Sequence, residues 1–79
     1  MRAEGKLKEA LQSFESAADS DTSPPDDRQR ALLQAGEVSD LLAKRKQALV
    51  QYRAAIALNG TSEEAQLARK YLDRPYTGN

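Results

Sequence analysis

One pattern is written twice in this chain. Ala10-Leu11-x-x-Phe14-x-x-Ala17 returns as Ala48-Leu49-x-x-Tyr52-x-x-Ala55, with the same residue classes at the same offsets 38 positions on. Steps of three and four residues fall on one side of an α-helix. A separation of this size is that of helical repeat arrays, in which each unit leaves an apolar side for its neighbour to cover. Composition points the same way. There are 13 Ala and 10 Leu against two Val and one Ile. Ala and Leu are strong helix formers, whereas strands favour β-branched residues. The spacing and the composition together predict an all-α chain of about four helices arranged as antiparallel hairpins, forming a single domain over residues 1–79.

The first helix is expected over about residues 2–18. Leu7, Ala10, Leu11, Phe14, Ala17 and Ala18 mark its buried face. The stretch Asp19–Asp27 has no apolar residue and contains Pro24-Pro25, so it reads as a loop. Asp26 or Asp27 is placed to cap the second helix, expected over about 28–42. Ala31, Leu32, Ala35, Val38, Ser39 and Leu42 form its stripe, with Leu33 and Leu41 beside it. Gly36 in mid-helix costs about 1 kcal/mol against Ala, which implies another helix passing close to its backbone.

Ala43–Gln47 contains neither Gly nor Pro. Two outcomes are open there: a turn, with a third helix over about 45–59, or one continuous rod from Arg28 to Asn59 that would invite exchange between two chains. Gly60 is suited to a left-handed cap behind the third helix. Thr61-Ser62-Glu63-Glu64 has the form of a capping box that opens a fourth helix over about 62–72. Pro75 closes that helix, and Thr77–Asn79 should fray.

The residues exclude much chemistry. With no Cys and no His, disulfides, thiolate metal sites and the commonest general base are all missing. The adjacent carboxylates Asp26-Asp27 and Glu63-Glu64 stand at helix starts, where capping explains them. The acidic loop lacks the residue order of a calcium-binding loop. Serine hydroxyls have no activating partner at helical spacing. We therefore expect no enzyme, no cofactor and no metal. Twelve basic and twelve acidic residues give a formal net charge of zero, so no overall basic field would hold nucleic acid. Lys44-Arg45-Lys46, with no aromatic beside it, reads as a solvated turn. No apolar run approaches a membrane span, and no signal-peptide pattern follows Met1. The absence of Cys fits a reducing compartment, so a cytoplasmic location is the expectation.

The small–Ala–aromatic–Ala pattern of the first and third helices resembles the second helix of a tetratricopeptide repeat. Leu32, Ala35-Gly36 and Ser39 stand where the first helix of such a repeat carries its marked positions. Gly36 lies 12 residues before Ala48, as the pattern asks. Arg28–Gly60 thus looks like one repeat, preceded by a half repeat and followed by a first or capping helix. Three features depart from the pattern: Ala43 stands where a smaller turn residue is usual, Ser39 replaces an aromatic, and the proline that often ends a repeat is displaced to Pro24 once and replaced by Gly60 once.

The resemblance implies a non-catalytic module that binds a peptide or partner helix along a concave face. On the second helix that face would carry Arg30, Leu33, Gln34, Glu37 and Leu41. The fourth helix would add Glu64, Leu67, Ala68 and Tyr71. Leu33, Leu41 and Tyr71 would be the apolar anchors, with Arg30, Gln34 and Glu37 fixing orientation. Leu33 and Leu41 could equally pack beneath the first helix. Leu33 and Glu37 occupy places where carboxylate-gripping members of the family carry basic or amide residues, so no carboxylate clamp is expected. The alternative is an assembly element, a terminal cap or a homodimer formed through the Arg2–Ala18 helix, with no ligand.

Overall fold

In the computed structural model, which describes residues 2–20, 22 and 24–78, there are four helices and no strand among the described residues. They are α1 (Arg2–Asp19), α2 (Pro25–Leu41), α3 (Arg45–Leu58) and α4 (Glu63–Asp73). Successive helices pack as antiparallel hairpins, and α2 also meets α4. The backbones of α1 and α3 do not approach each other: both lie on α2, which is the central element. Asp21 and Ser23 of the expected loop and Asn79 of the expected tail lie outside the described residues.

The helix ends correct several expectations. α2 starts at Pro25, three residues earlier than its apolar stripe suggests. Proline is well placed there, since its fixed φ suits the first turn and its missing N–H would have had no partner. Pro24 holds the cap position and no side chain caps the helix. Asp26 and Asp27 therefore sit in the first turn, where they meet the positive end of the helix dipole without capping it. At α4 the cap is Ser62, whose hydroxyl accepts from the Ala65 N–H at 3.0 Å. Thr61 instead donates its N–H and hydroxyl to Asn59 Oδ1, at 3.1 and 3.0 Å. Gly60 is not left-handed, because α3 ends at an extended Asn59 (φ −160°, ψ 106°).

The left-handed residue is Ala43, at φ 62°. Its N–H reaches Asp40 O at 3.0 Å and the Lys44 N–H reaches Ser39 O at 2.8 Å. This pair of bonds is a Schellman closure, and it separates α2 from α3 at the stretch where a rod was the other outcome. A side chain in this conformation costs roughly 1 kcal/mol against glycine.

Two apolar clusters flank α2. Leu33, Ala48, Tyr52, Ala55 and Ala68 form one, with Leu32, Ile56, Tyr71 and Leu72 against it. Leu11, Ala35 and Val38 form the other, with Leu7, Ala10, Phe14 and Leu42. Gly36 accounts for the close approach of α3. The Tyr52 ring lies on its backbone, and a Cβ at Gly36 would collide with Tyr52 Cε1 and Cδ1. Of the two alanines expected on the buried face of α1, Ala18 is buried and Ala17 is exposed. With its backbone packed on α2 alone, α1 turns the arc of Leu7, Leu11, Phe14 and Ala18 inward and leaves Ala17 to one side.

Two stability outcomes follow. Gly36→Ala should lower the urea midpoint despite its better helix propensity, because overpacking against a ring held at both ends costs about 1–3 kcal/mol. Gly5→Ala, where nothing lies within 4 Å of the added carbon, should show the ordinary gain of up to about 1 kcal/mol. Equal effects at the two positions would show that Gly36 carries no packing constraint. Separately, Ala43→Gly should raise the midpoint by the equivalent of about 1 kcal/mol, and a loss would contradict the left-handed turn.

Candidate partner-binding face

Arg30, Gln34, Glu37 and Leu41 follow one another at i, i+4, i+7 and i+11, so they share one side of α2. Ala65 and Ala68 are fully buried where α4 packs on α3 and, to a lesser extent, on α2. That packing sets Glu64, Leu67 and Tyr71 alongside the α2 stripe. Arg30 Nε stands 3.9 Å from Glu64 Oε2 at one end of the shared face. This pair is largely exposed and worth at most about 1 kcal/mol. Leu41 and Leu67 are 41% and 40% exposed, and Tyr71 is half-buried.

Leu33 does not belong to this face. It is 5% exposed and packs against α3 and α4 in the core. Leu33 is thus buried, but in the cluster with α3 and Ala68 of α4 and not beneath the first helix as the packing alternative had it, while Leu41 is at the surface.

Glu37 is the electrostatically distinctive residue of the face. Burial pushes its carboxyl above the usual carboxylate range. No cation lies within ion-pair distance of it among the described residues. Burial also raises the Tyr71 hydroxyl, with smaller contributions from Glu37 and Tyr76.

The tail is ordered by side chains that periodicity does not reveal. The Tyr76 N–H donates to Asp40 Oδ2 at 2.9 Å. The Tyr76 ring meets Tyr71 edge-on, with centroids 5.1 Å apart. A side chain at Gly78, where φ is +92°, would reach Leu41 at 3.7 Å. The segment after Pro75 thus turns back over the Leu41–Tyr71 end of the face. A cleft of about 350 Å³ opens between it and the last turn of α4, lined by Lys70, Tyr71, Arg74 and Tyr76.

Asp40 anchors this end. Its side chain is 1% exposed. It accepts from Arg45 Nη1 on both oxygens (3.1 and 3.0 Å), from the Tyr52 hydroxyl at 2.7 Å and from the tail. Arg45 Nη2 also donates to Leu72 O at 2.9 Å, closing the end of α4. Arg45 is thus a structural ligand, while Lys44 and Lys46 are exposed. Burial, followed by the Asp40 hydrogen bond, raises the Tyr52 hydroxyl far above its ordinary value, so it stays protonated. Sequence reasoning missed Asp40 and Arg45 because their five-residue separation is no helical pair. It becomes one contact only through the turn at Ala43.

No group of three or more His, Cys, Asp or Glu side chains among the described residues is arranged to hold a metal. No described helix is long and apolar enough to cross a membrane.

The position of Glu37 gives a pH dependence whose sign is fixed. The folded chain holds the Glu37 proton more tightly than the unfolded chain does. The resulting stabilisation is complete below the unfolded value, about 4.5, and is lost as pH rises through the folded one. At neutral pH the carboxylate is the form that burial penalises. Glu37→Gln should therefore raise the urea midpoint at pH 7, and its advantage should shrink at pH 4. An advantage that is equal at both pH values would assign the effect to something other than this charge.

The chain matches no protein-family model, no curated protein and no solved structure.

Proposed function

We propose that this chain is a non-catalytic interaction module of the tetratricopeptide type, and that the α2–α4 face receives an extended or helical segment of another protein. The observation that carries the reading is the alignment of the Arg30–Gln34–Glu37–Leu41 stripe beside Leu67 and Tyr71, with two leucines left exposed on an otherwise polar surface. The Gly36–Tyr52 contact supports the repeat type, because Gly36 and Ala48 keep the spacing of that family and α3 closes on α2 at that point. The face is suited to a partner with apolar side chains for Leu41 and Leu67 and a cationic one for Glu37. Such a cation would relieve a half-buried charge that lacks a partner within the described residues.

An assembly role is the second reading. It is favoured by α1, whose backbone packs on α2 alone and which reaches α3 only through the Glu15 side chain.

Selection of displayed peptides against the full chain separates the two. The first reading expects binders whose affinity falls at least tenfold on Leu67→Asp and is unchanged by Val50→Asp. Val50 is 64% exposed on α3, away from the face. Binders indifferent to Leu67→Asp would remove this face as the site. Absence of binders, together with a concentration-dependent dimer in sedimentation, would favour assembly.

A further inference from the structure

The segment Arg74–Gly78 has no helical or strand structure of its own, yet it is held in place by the face it crosses. Arg74 is extended (φ −135°, ψ 130°). Tyr76 then supplies a ring to Tyr71 and a backbone N–H to the buried Asp40 carboxylate, and Gly78 comes down beside Leu41. These are kinds of contact an extended peptide ligand makes: an aromatic anchor, a main-chain hydrogen bond and apposition to the Leu41 side chain. They fall on Leu41 and Tyr71, which the proposed partner face also uses.

We propose that the Asp40–Leu41–Tyr71 end of this face is a seat for an extended, tyrosine-bearing peptide segment, which the chain's own Arg74–Gly78 strap fills until a partner of the same chemistry displaces it. This rests on the interaction-module reading and specifies its ligand. Tyr76 follows the end of α4 by three residues and meets Tyr71 and Asp40 of the same chain, so the strap closes on its own molecule. A tether this short gives an effective concentration of about millimolar or more, which keeps even a weak seat occupied. The strap does not cover the Arg30–Glu64 end, so an incoming partner can engage there before the strap opens. A partner bound only to the seat competes directly with the strap. If the strap is closed about nine-tenths of the time, apparent affinity for a competing peptide falls about tenfold.

The probe is a fluorescently labelled synthetic peptide copying residues 73–79, titrated into the full chain and into a full-length Tyr76→Ala variant. The variant loses the strap's ring and keeps the seat. It should bind the peptide about tenfold more tightly than the unaltered chain, and Leu41→Asp in the same background should abolish binding. A peptide with Ala in place of its Tyr should bind neither chain. In the unaltered chain the Tyr76 amide should exchange with solvent at least tenfold more slowly than the same amide in the free peptide. This reading stands even if Tyr76→Ala proves unstable.

Equal affinity for both chains, no binding by a folded Tyr76→Ala chain, or unprotected Tyr76 exchange would overturn the seat. If the seat fails while selected peptides still depend on Leu67, the broader reading survives without it. If both fail, the face is not a binding surface.

Discussion

The contact on which the fold depends is a tyrosine ring laid on a glycine backbone. Tyr52 is completely buried, its ring rests on Gly36, and its hydroxyl ends on Asp40. The first contact fixes how closely α3 approaches α2. The second fixes where along α2 it stops. Asp40 also holds Arg45, and Arg45 holds the end of α4 through the Leu72 carbonyl. A single ring and its acceptor therefore set the relative positions of three helices and the tail. Removing any one partner would leave another buried polar group unsatisfied, at a cost of about 1–3 kcal/mol, which is a large share of a small domain's stability.

Polar side chains do much of the remaining ordering, because a core of alanines and a few leucines buries little area. Gln29 donates to Ala55 O and Asn59 O, both at 2.7 Å, and so satisfies carbonyls at the end of α3. Arg28 donates to Ala18 O near the end of α1 at 3.2 Å. Ser39 donates to Gln51 Oε1 at 2.7 Å, and Gln51 and Gln47 both donate to Glu15 of α1. Glu15 thus ties α1 to α3 across a cleft that their backbones do not close. Ser39 is instructive. It occupies a position where the resembled family carries an aromatic, and here it forms a buried hydrogen bond.

The same anchor shapes the candidate face. Because Asp40 turns one oxygen to the tail, the chain after α4 crosses the Leu41–Tyr71 end, while the Arg30–Leu67 end stays open. The face therefore has two chemically different halves. One is aromatic and already occupied by main chain. The other is charged at its rim, with Leu67 exposed between. Glu37 lies on the stripe between Arg30 and Leu41 as a half-buried charge that burial disfavours.

How much of this was legible from residues alone depended on range. Leu11, Val38, Ala48, Tyr52 and Ala55 were readable as core because helical periodicity is local. Gly36 was readable as a close approach because glycine has no other use in mid-helix. The helix caps were misplaced by one to a few residues, since several Asp, Ser and Thr side chains compete for each end and backbone geometry selects among them. Leu33 was open in the sequence because its flank could face solvent or a neighbour. The position of α4 decides that question, and α4 lies thirty residues further on. The sequence by itself determined the amphipathic helical stretches and most of the residues small enough to let them touch, because these follow from spacing along one chain, whereas the turn at Ala43 that parts α2 from α3 was settled by the structure. Only the tertiary structure decided that Asp40 gathers Arg45, Tyr52 and Tyr76, and that the tail lies over the face. Those contacts join residues that share no period, and a hydrogen bond of that kind exists only once the packed helices have brought its two ends together.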